Sequence, residues 1–259
     1  MAIAEHIIIT GASSGLGAAL AKAYAGHGIV LGLTGRNEPR LSEVAETCRA
    51  NGAEVHTCTI DVRDDEALHD WMVAFDAQHP VDLVIANAGI SGGTSGQTES
   101  AHQTKQLLDV NIRGVANTVL PLVEAMKERG KGQLAIMSSV ASFVAYPGAP
   151  AYCASKAAVR VWGEALGGSL AKHNIIVSVI CPGYIRTPMT DKNDFPMPLL
   201  LEAEEAAFRI KNALEEEKLR IAFPLGLYWM AQLAMCIPRP LRNYIFTRMP
   251  AKTPIDECQ

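Results

Sequence analysis

The chain has 259 residues, 49% of them hydrophobic, and a formal net charge of −4. That is enough apolar material for one sizeable core, and α/β folds of this length often form a single domain. The mild acidity excludes an overall basic field that would invite nucleic acid. Cys48, Cys58, Cys153, Cys181, Cys236 and Cys258 are scattered without a Cys-x-x-Cys pair. No zinc site, redox dithiol or other metal site is expected, and a reducing cytoplasm fits best. The apolar run Ile7-Ile8-Ile9 is too short and lacks the basic flank of a secretory leader, so none is expected.

In chain order, short β-branched apolar runs predict strands over 6–10, 29–34, 54–60, 81–86, 133–138 and 175–180. Being continuous rather than alternating, they read as buried on both faces. Amphipathic stretches predict helices over 15–27, 39–51, 64–78, 100–129 and 151–173. This alternation gives right-handed βαβ units and one doubly wound, Rossmann-like parallel sheet with helices on both faces, spanning 1–259. Such a sheet binds ligands at the carboxyl ends of its strands.

The first strand runs into Thr10-Gly11-Ala12-Ser13-Ser14-Gly15-Leu16-Gly17. Glycines permit a tight turn and close backbone approach, and the following helix offers unpaired N–H groups to a pyrophosphate. A NAD enzyme would carry an acid after the second strand, to hold the ribose 2′-hydroxyl. Here stands Thr34-Gly35-Arg36-Asn37. An arginine suits a 2′-phosphate, so NADP(H) is favoured over NAD(H), with a solvated surface Arg36 as the plain alternative. Further on, Tyr152 and Lys156 lie four apart, on one face of a helix. A nearby ammonium favours phenolate and should lower the phenol's pKa into a useful range for proton transfer.

Together these residues resemble the short-chain dehydrogenase/reductase family in its compact form, over about residues 5–190. Thr10, Gly11, Gly15 and Gly17 are similar to its coenzyme loop, with Ser13, Ser14 and Leu16 lining it. Asp61-Val62 resembles the pair at the adenine, and Asn87-Ala88-Gly89 the structural motif after the fourth strand. Asn111, Ser139, Tyr152 and Lys156 match the catalytic tetrad, and Pro182-Gly183 with Ile185 and Thr187 the segment around the nicotinamide. The resemblance implies that Tyr152 exchanges a proton with a carbonyl or alcohol oxygen and Ser139 positions that oxygen. It implies that Lys156 tunes Tyr152 and binds the nicotinamide ribose, Asn111 holds a relay water, and Thr187 fixes the carboxamide. Each has a plainer reading: Asn111 as a helix kink, Asp61 as a helix cap, Asn87 and Gly89 as turn formers. The implied activity is NADP-dependent interconversion of a small carbonyl and a secondary alcohol by a homodimer or homotetramer. The alternative is a catalytically silent nucleotide-binding sensor or scaffold.

Beyond Thr187, residues 188–220 read as a substrate lid: a Pro- and Met-rich loop over 188–198, then an amphipathic helix over 201–217. Phe195, Met197, Leu199 and Leu200 suit either a substrate with apolar surface or ordinary packing. Residues 221–238 carry no charge, and Arg239, Arg242, Arg248 and Lys252 follow in the extension over 221–259. Three readings stand open: burial against the domain or another subunit, a helix lying in a membrane surface, or a membrane span.

Overall fold

A computed structural model describes residues 4–193 and 195–255; Cys258 and the last residues of the C-terminal extension lie outside them. Among the described residues, seven strands form one parallel sheet in the order β3-β2-β1-β4-β5-β6-β7. They are β1 (His6–Thr10), β2 (Val30–Gly35), β3 (Glu54–Thr59), β4 (Leu83–Ala86), β5 (Gly132–Met137), β6 (Ile175–Pro182) and β7 (Arg220–Phe223). The chain reverses direction of travel across the sheet between β1 and β4, which opens a crevice at their carboxyl ends.

Alternation along the strands divides the core in two. Ile7 and Ile9 join one apolar cluster while Ile8 joins the other. The first is covered by α1 (Gly15–Tyr24), α2 (Glu38–Ala50) and α8 (Ala203–Glu215). The second is covered by α3 (Asp65–Gln78), α5 (Gly114–Val119), α6 (Val123–Arg129) and α7 (Pro150–Leu170). Polar caps start several helices: Asn37 accepts from the Arg40 N–H, Asp64 from Ala67, and Ser100 from Gln103 at the head of α4 (Ala101–Leu108).

Four expectations need correction. The strand β3 is an edge strand, so among its side chains only Val55 is buried and the others keep partial or full exposure, rather than being buried on both faces. The helix expected over 100–129 is interrupted by a π-helical turn at Asp109–Arg113 and a 3-10 turn at Leu120–Leu122, where Pro121 lacks an N–H. The amphipathic helix over 201–217 exists as α8, but its inner face, with Ala206, Ala207 and Ile210 fully buried, packs in the core cluster with α1, so it is a core-packed helix rather than part of a lid. Finally, the uncharged run over 221–238 is not one helix. Its start is the sheet-edge strand β7, and only Leu225–Cys236 forms a helix, α9, followed by α10 (Arg239–Phe246). Among the described residues no helix is long and apolar enough to cross a membrane, which removes the span reading.

Candidate active site

The loop between β1 and α1 is built for close approach. Gly11 and Gly15 hold φ of +68° and +53°, which L side chains rarely adopt. A Cβ at Gly17 would stand 2.2 Å from the Gly11 carbonyl oxygen, so only glycine fits there. Ser14 begins α1 without a side-chain hydrogen bond to the first turn, which leaves the N–H groups there for a ligand. Leu16 packs onto the core below. A dinucleotide pyrophosphate fits this glycine cradle.

The neighbouring strand ends frame the loop. Asn87 Nδ2 donates to the Thr10 and Gly11 carbonyls at 3.1 and 3.2 Å, tying the end of β4 to the loop. Ala88 packs so tightly on Gly11 that a Cβ there would lie 2.7 Å from its Cα. At the end of β2, a Cβ on Gly35 would approach Ser13 Oγ to 2.9 Å, and Arg36 follows, half-exposed. Arg36 Nη1 stands 3.9 Å from Asp61 Oδ2. Burial works to raise the Asp61 pKa, but Arg63 hydrogen bonds, then the Arg63 and Arg36 charges, outweigh it and hold the carboxyl below its usual range. Asp64, not Asp61, caps the next helix, so the capping reading of Asp61 fails. Val62 is fixed by the Asn117 side chain, whose amide donates to its carbonyl at 3.0 Å.

Across the crevice the four residues matched to a catalytic tetrad converge. The Ser138 and Ser139 hydroxyls follow the end of β5 and do different things. Ser138 donates to the Lys156 carbonyl at 2.8 Å, pinning α7, while Ser139 accepts from the Ala141 N–H, donates to the Pro182 carbonyl at 3.4 Å and lies close enough to Tyr152 to favour its phenolate. Lys156 is buried and donates from Nζ to the Met137 carbonyl at 2.9 Å. A Cβ on Gly89 would lie 3.2 Å from Asn111 Oδ1 and 3.3 Å from Lys156 Nζ, so Gly89 leaves room for both. Asn111 sits in the π-helical turn, accepting from the Ile90 N–H at 2.8 Å and donating to the Ile90 carbonyl at 2.9 Å and Ser155 Oγ at 3.1 Å. The kink and the backbone-capping role are therefore real, and they seat this residue beside Lys156.

The electrostatics differ from the expectation. The Tyr152 ring keeps some exposure, yet enough protein surrounds its oxygen that burial pushes the phenol up to about 12, against the lowering effect of Ser139. Burial likewise pulls the Lys156 ammonium down to about 8. With Lys156 turned to Met137, its nearness does not lower the phenol pKa in this arrangement.

The segment after β6 closes the crevice. Gly183 donates its N–H to the Phe223 carbonyl at 2.8 Å, and Ile185 bridges to Leu201. Thr187 forms a tight turn with Thr190 and lies against the glycine loop: a Cβ on Gly15 would meet its Cγ2 at 3.0 Å. In the loop over 188–198 the Phe195 ring meets Tyr184 edge-on at 6.3 Å.

Two residues join this site that the sequence did not assign to it: Ser91, and Lys252 of the basic C-terminal extension. The C-terminal tail folds back across the mouth, with Gly93 and Ser95 N–H groups donating to the Thr253 and Lys252 carbonyls at 2.8 and 2.9 Å. Tyr146 donates to the Pro250 carbonyl, and Thr253 Oγ1 to the Lys192 carbonyl in the loop over 188–198. Lys252 Nζ then lies 4.1 Å from the centre of the Tyr152 ring and 2.9 Å from Ser91 Oγ. Elsewhere, Glu54, His56 and His79 come together at the outer edge of the sheet, a grouping the sequence reading did not anticipate.

Comparison with known proteins agrees with this architecture. The short chain dehydrogenase family model matches residues 5–196. An uncharacterized oxidoreductase of Myxococcus xanthus is 33% identical over 235 residues, 90% of this chain and 93% of that protein. A short-chain dehydrogenase/reductase from Burkholderia phymatum, solved in complex with NAD, superposes with a TM-score of 0.82 at 24% identity, over 97% of this chain and 98% of the other. A short-chain dehydrogenase from Sphingobium yanoikuyae, solved with NADPH, gives 0.75 at 23% identity, over 98% and 97%. The chain belongs to the short-chain dehydrogenase/reductase family of NAD(P)-dependent oxidoreductases.

Proposed function

We propose that this oxidoreductase uses NADP(H) to interconvert a carbonyl and a secondary alcohol, with Tyr152 as the proton carrier. The observation that carries the reading is Tyr152 set against Ser139, one helical turn from the buried Lys156, in the crevice that the glycine loop also borders. In reduction, Ser139 and Tyr152 hold the substrate oxygen, and Tyr152 gives it a proton; in oxidation Tyr152 takes that proton back. The coenzyme supplies or accepts the hydride. Lys156, on turning from the Met137 carbonyl to the ring when coenzyme binds, favours phenolate and binds the nicotinamide ribose. Asn111 holds the water through which Lys156 exchanges protons with solvent. Gly11, Ser13, Ser14, Gly15, Leu16 and Gly17 hold the pyrophosphate. Asp61 and Val62 bound the adenine, Asn87, Ala88 and Gly89 shape the ribose side, and Pro182, Gly183, Ile185 and Thr187 embrace the nicotinamide.

Preference for NADP(H) rests on Arg36 and on the lack of an acid at the end of β2. The apolar residues of the lid loop favour a lipophilic substrate. The same reading carries a cytoplasmic homodimer or homotetramer with a peripheral lipid contact through residues 221–252. The test is a panel of ketones, aldehydes and secondary alcohols, assayed by reduced-nicotinamide absorbance with NADP(H) and NAD(H) in parallel. NADP(H)-dependent turnover of one class is expected; a consistent preference for NAD(H) would overturn the coenzyme assignment.

A further inference from the structure

Of seventeen large apolar side chains that stand well exposed among the described residues, ten lie between Leu219 and Met249. Their spacing is helical. Leu225, Trp229 and Leu233 recur every four residues on α9 and are 64%, 57% and 65% exposed, with Met230 beside them. Side chains four apart share a helix face. The opposite face carries Tyr228 and Ala231 into a small core with Val140, Phe143, Val179 and Cys181, so α9 is anchored while its apolar outer face is not covered. Leu241, Tyr244 and Ile245 continue the exposed apolar surface on α10, which buries no residue at all. Arg242 Nη1 approaches Met235 Sδ at 3.4 Å, holding the two helices together.

The charge of this segment is reversed relative to the chain. From Leu219 to Ile255 there are Arg220, Arg239, Arg242, Arg248 and Lys252 and no acid, in a chain of net charge −4; the next acids are Asp256 and Glu257. Arg220 is paired with Glu164, and Lys252 turns into the cleft, which leaves Arg239, Arg242 and Arg248 with the apolar surface. An exposed apolar patch rimmed by one sign of charge marks an interaction site. Trp, Tyr and Met beside long cationic side chains suit the boundary between headgroups and acyl chains, where apolar stems sink and charged ends stay wet.

We propose that the outer face of α9 and α10 docks on an anionic phospholipid surface. Cations alone complement such a surface, whereas a second copy of this segment would meet it with like charge. The contact is peripheral. It also orients the site: Phe246 at the end of α10 packs edge-on against Tyr146 at 6.1 Å, and the chain beyond runs directly across the substrate mouth to Lys252. Docking therefore sets the cleft beside the lipid, where a lipophilic carbonyl or alcohol is concentrated. This sharpens the peripheral contact proposed for residues 221–252 and rests on that reading for the substrate only. Vesicle binding is read without turnover, so the two succeed or fail separately.

The experiment is co-sedimentation of the full chain with phosphatidylcholine vesicles and with vesicles containing one-quarter phosphatidylglycerol. Binding to the anionic vesicles is expected to exceed binding to the neutral ones by at least about tenfold and to weaken with salt. Two exposed arginines, replaced in Arg239→Glu/Arg248→Glu, should carry roughly 20–30-fold of the anionic binding. Leu233→Asp should abolish it while leaving the melting temperature and turnover of a soluble substrate unchanged. Equal binding to both vesicle types, no binding to either, or Leu233→Asp binding like the wild type would each overturn the proposal. So would a fall in oligomer size on Leu233→Asp with no vesicle binding by the parent, which would make the face a contact between copies. The comparison of vesicles needs no variant and holds even if a substitution disturbs folding.

Discussion

At the scale of single residues, the site combines one buried and one half-buried ammonium group with one phenol. Lys252 is the cleaner one to test, because it belongs to the tail rather than to the proton path. Burial pulls its pKa down to about 8, from an ordinary value of 10.5. Below pH 8 both folded and unfolded chains carry the proton, so the full cost of burying the charge is present. Between about 8 and 10.5 the unfolded chain holds more protons than the folded one, so this group's contribution to stability rises with pH until the cost is gone. Lys252→Met is therefore expected to be most stabilising, relative to the parent, at or below pH 8. That advantage should fade toward pH 10.5 in urea melts across the range; a difference independent of pH would show that Lys252 is not buried as a cation. Arg36 gives a second test at this scale. Replacing it by Asp should raise the KM for NADP(H) by about 10–100-fold, the worth of a charge-assisted pair with phosphate, and leave that for NAD(H) unchanged or lower. Equal effects on both coenzymes would place Arg36 outside the 2′-phosphate site. The positions of Arg36 at a strand end and of Tyr152 and Lys156 on one helix face could be read locally, whereas Asn111 and Ser139 came only with the family resemblance. Lys252 and Ser91 could not be placed at the site, since no local pattern signals that a tail closes over a residue 100 positions earlier, and the burial that raises Tyr152 exists only in the assembled cleft.

At the scale of elements, the strand-loop-helix unit around Gly11–Gly17 is the part most tightly determined by its sequence. A methyl group at Gly17 has nowhere to go but into the Gly11 carbonyl. Gly17→Ala should cost about 1–3 kcal/mol of stability, the range for overpacking, and weaken coenzyme binding by at least about tenfold. Both are measurable, by urea unfolding and by coenzyme fluorescence titration; a variant that binds coenzyme normally would show that the loop does not approach the ligand closely. Six of the strands were evident because apolar β-branched runs such as Ile7-Ile8-Ile9 admit few other readings. The strand β7 escaped because Arg220–Phe223 is short and continuous in character with the apolar helix behind it, so composition alone merged the two. The break of the long helix at Asn111 escaped for a different reason. A π-helical turn leaves the 3.6-residue apolar pattern almost intact, and what holds it open here is tertiary: the Ile90 backbone and Ser155 on either side of one amide.

At the scale of the whole molecule, a parallel sheet of order β3-β2-β1-β4-β5-β6-β7 brings every motif to one edge, because each follows the carboxyl end of a strand. The strands β1 and β2 contribute the glycine loop and Arg36, β4 and β5 contribute Asn87 and Ser139, and β6 contributes the run from Pro182 to Thr187. The helix α7 returns Tyr152 and Lys156 to the same edge from the far side of the crevice. The most direct measurement of the chemistry is a comparison of Tyr152→Phe with the parent, on the substrate and coenzyme found by the panel. Removing one oxygen keeps the ring and its packing but removes the transferable proton. Coenzyme affinity should stay within about twofold while kcat falls by about 10²-fold or more, a loss in the range assigned to a positioned general acid. Turnover by Tyr152→Phe equal to that of the parent, with the same coenzyme affinity, would contradict the role of Tyr152 outright.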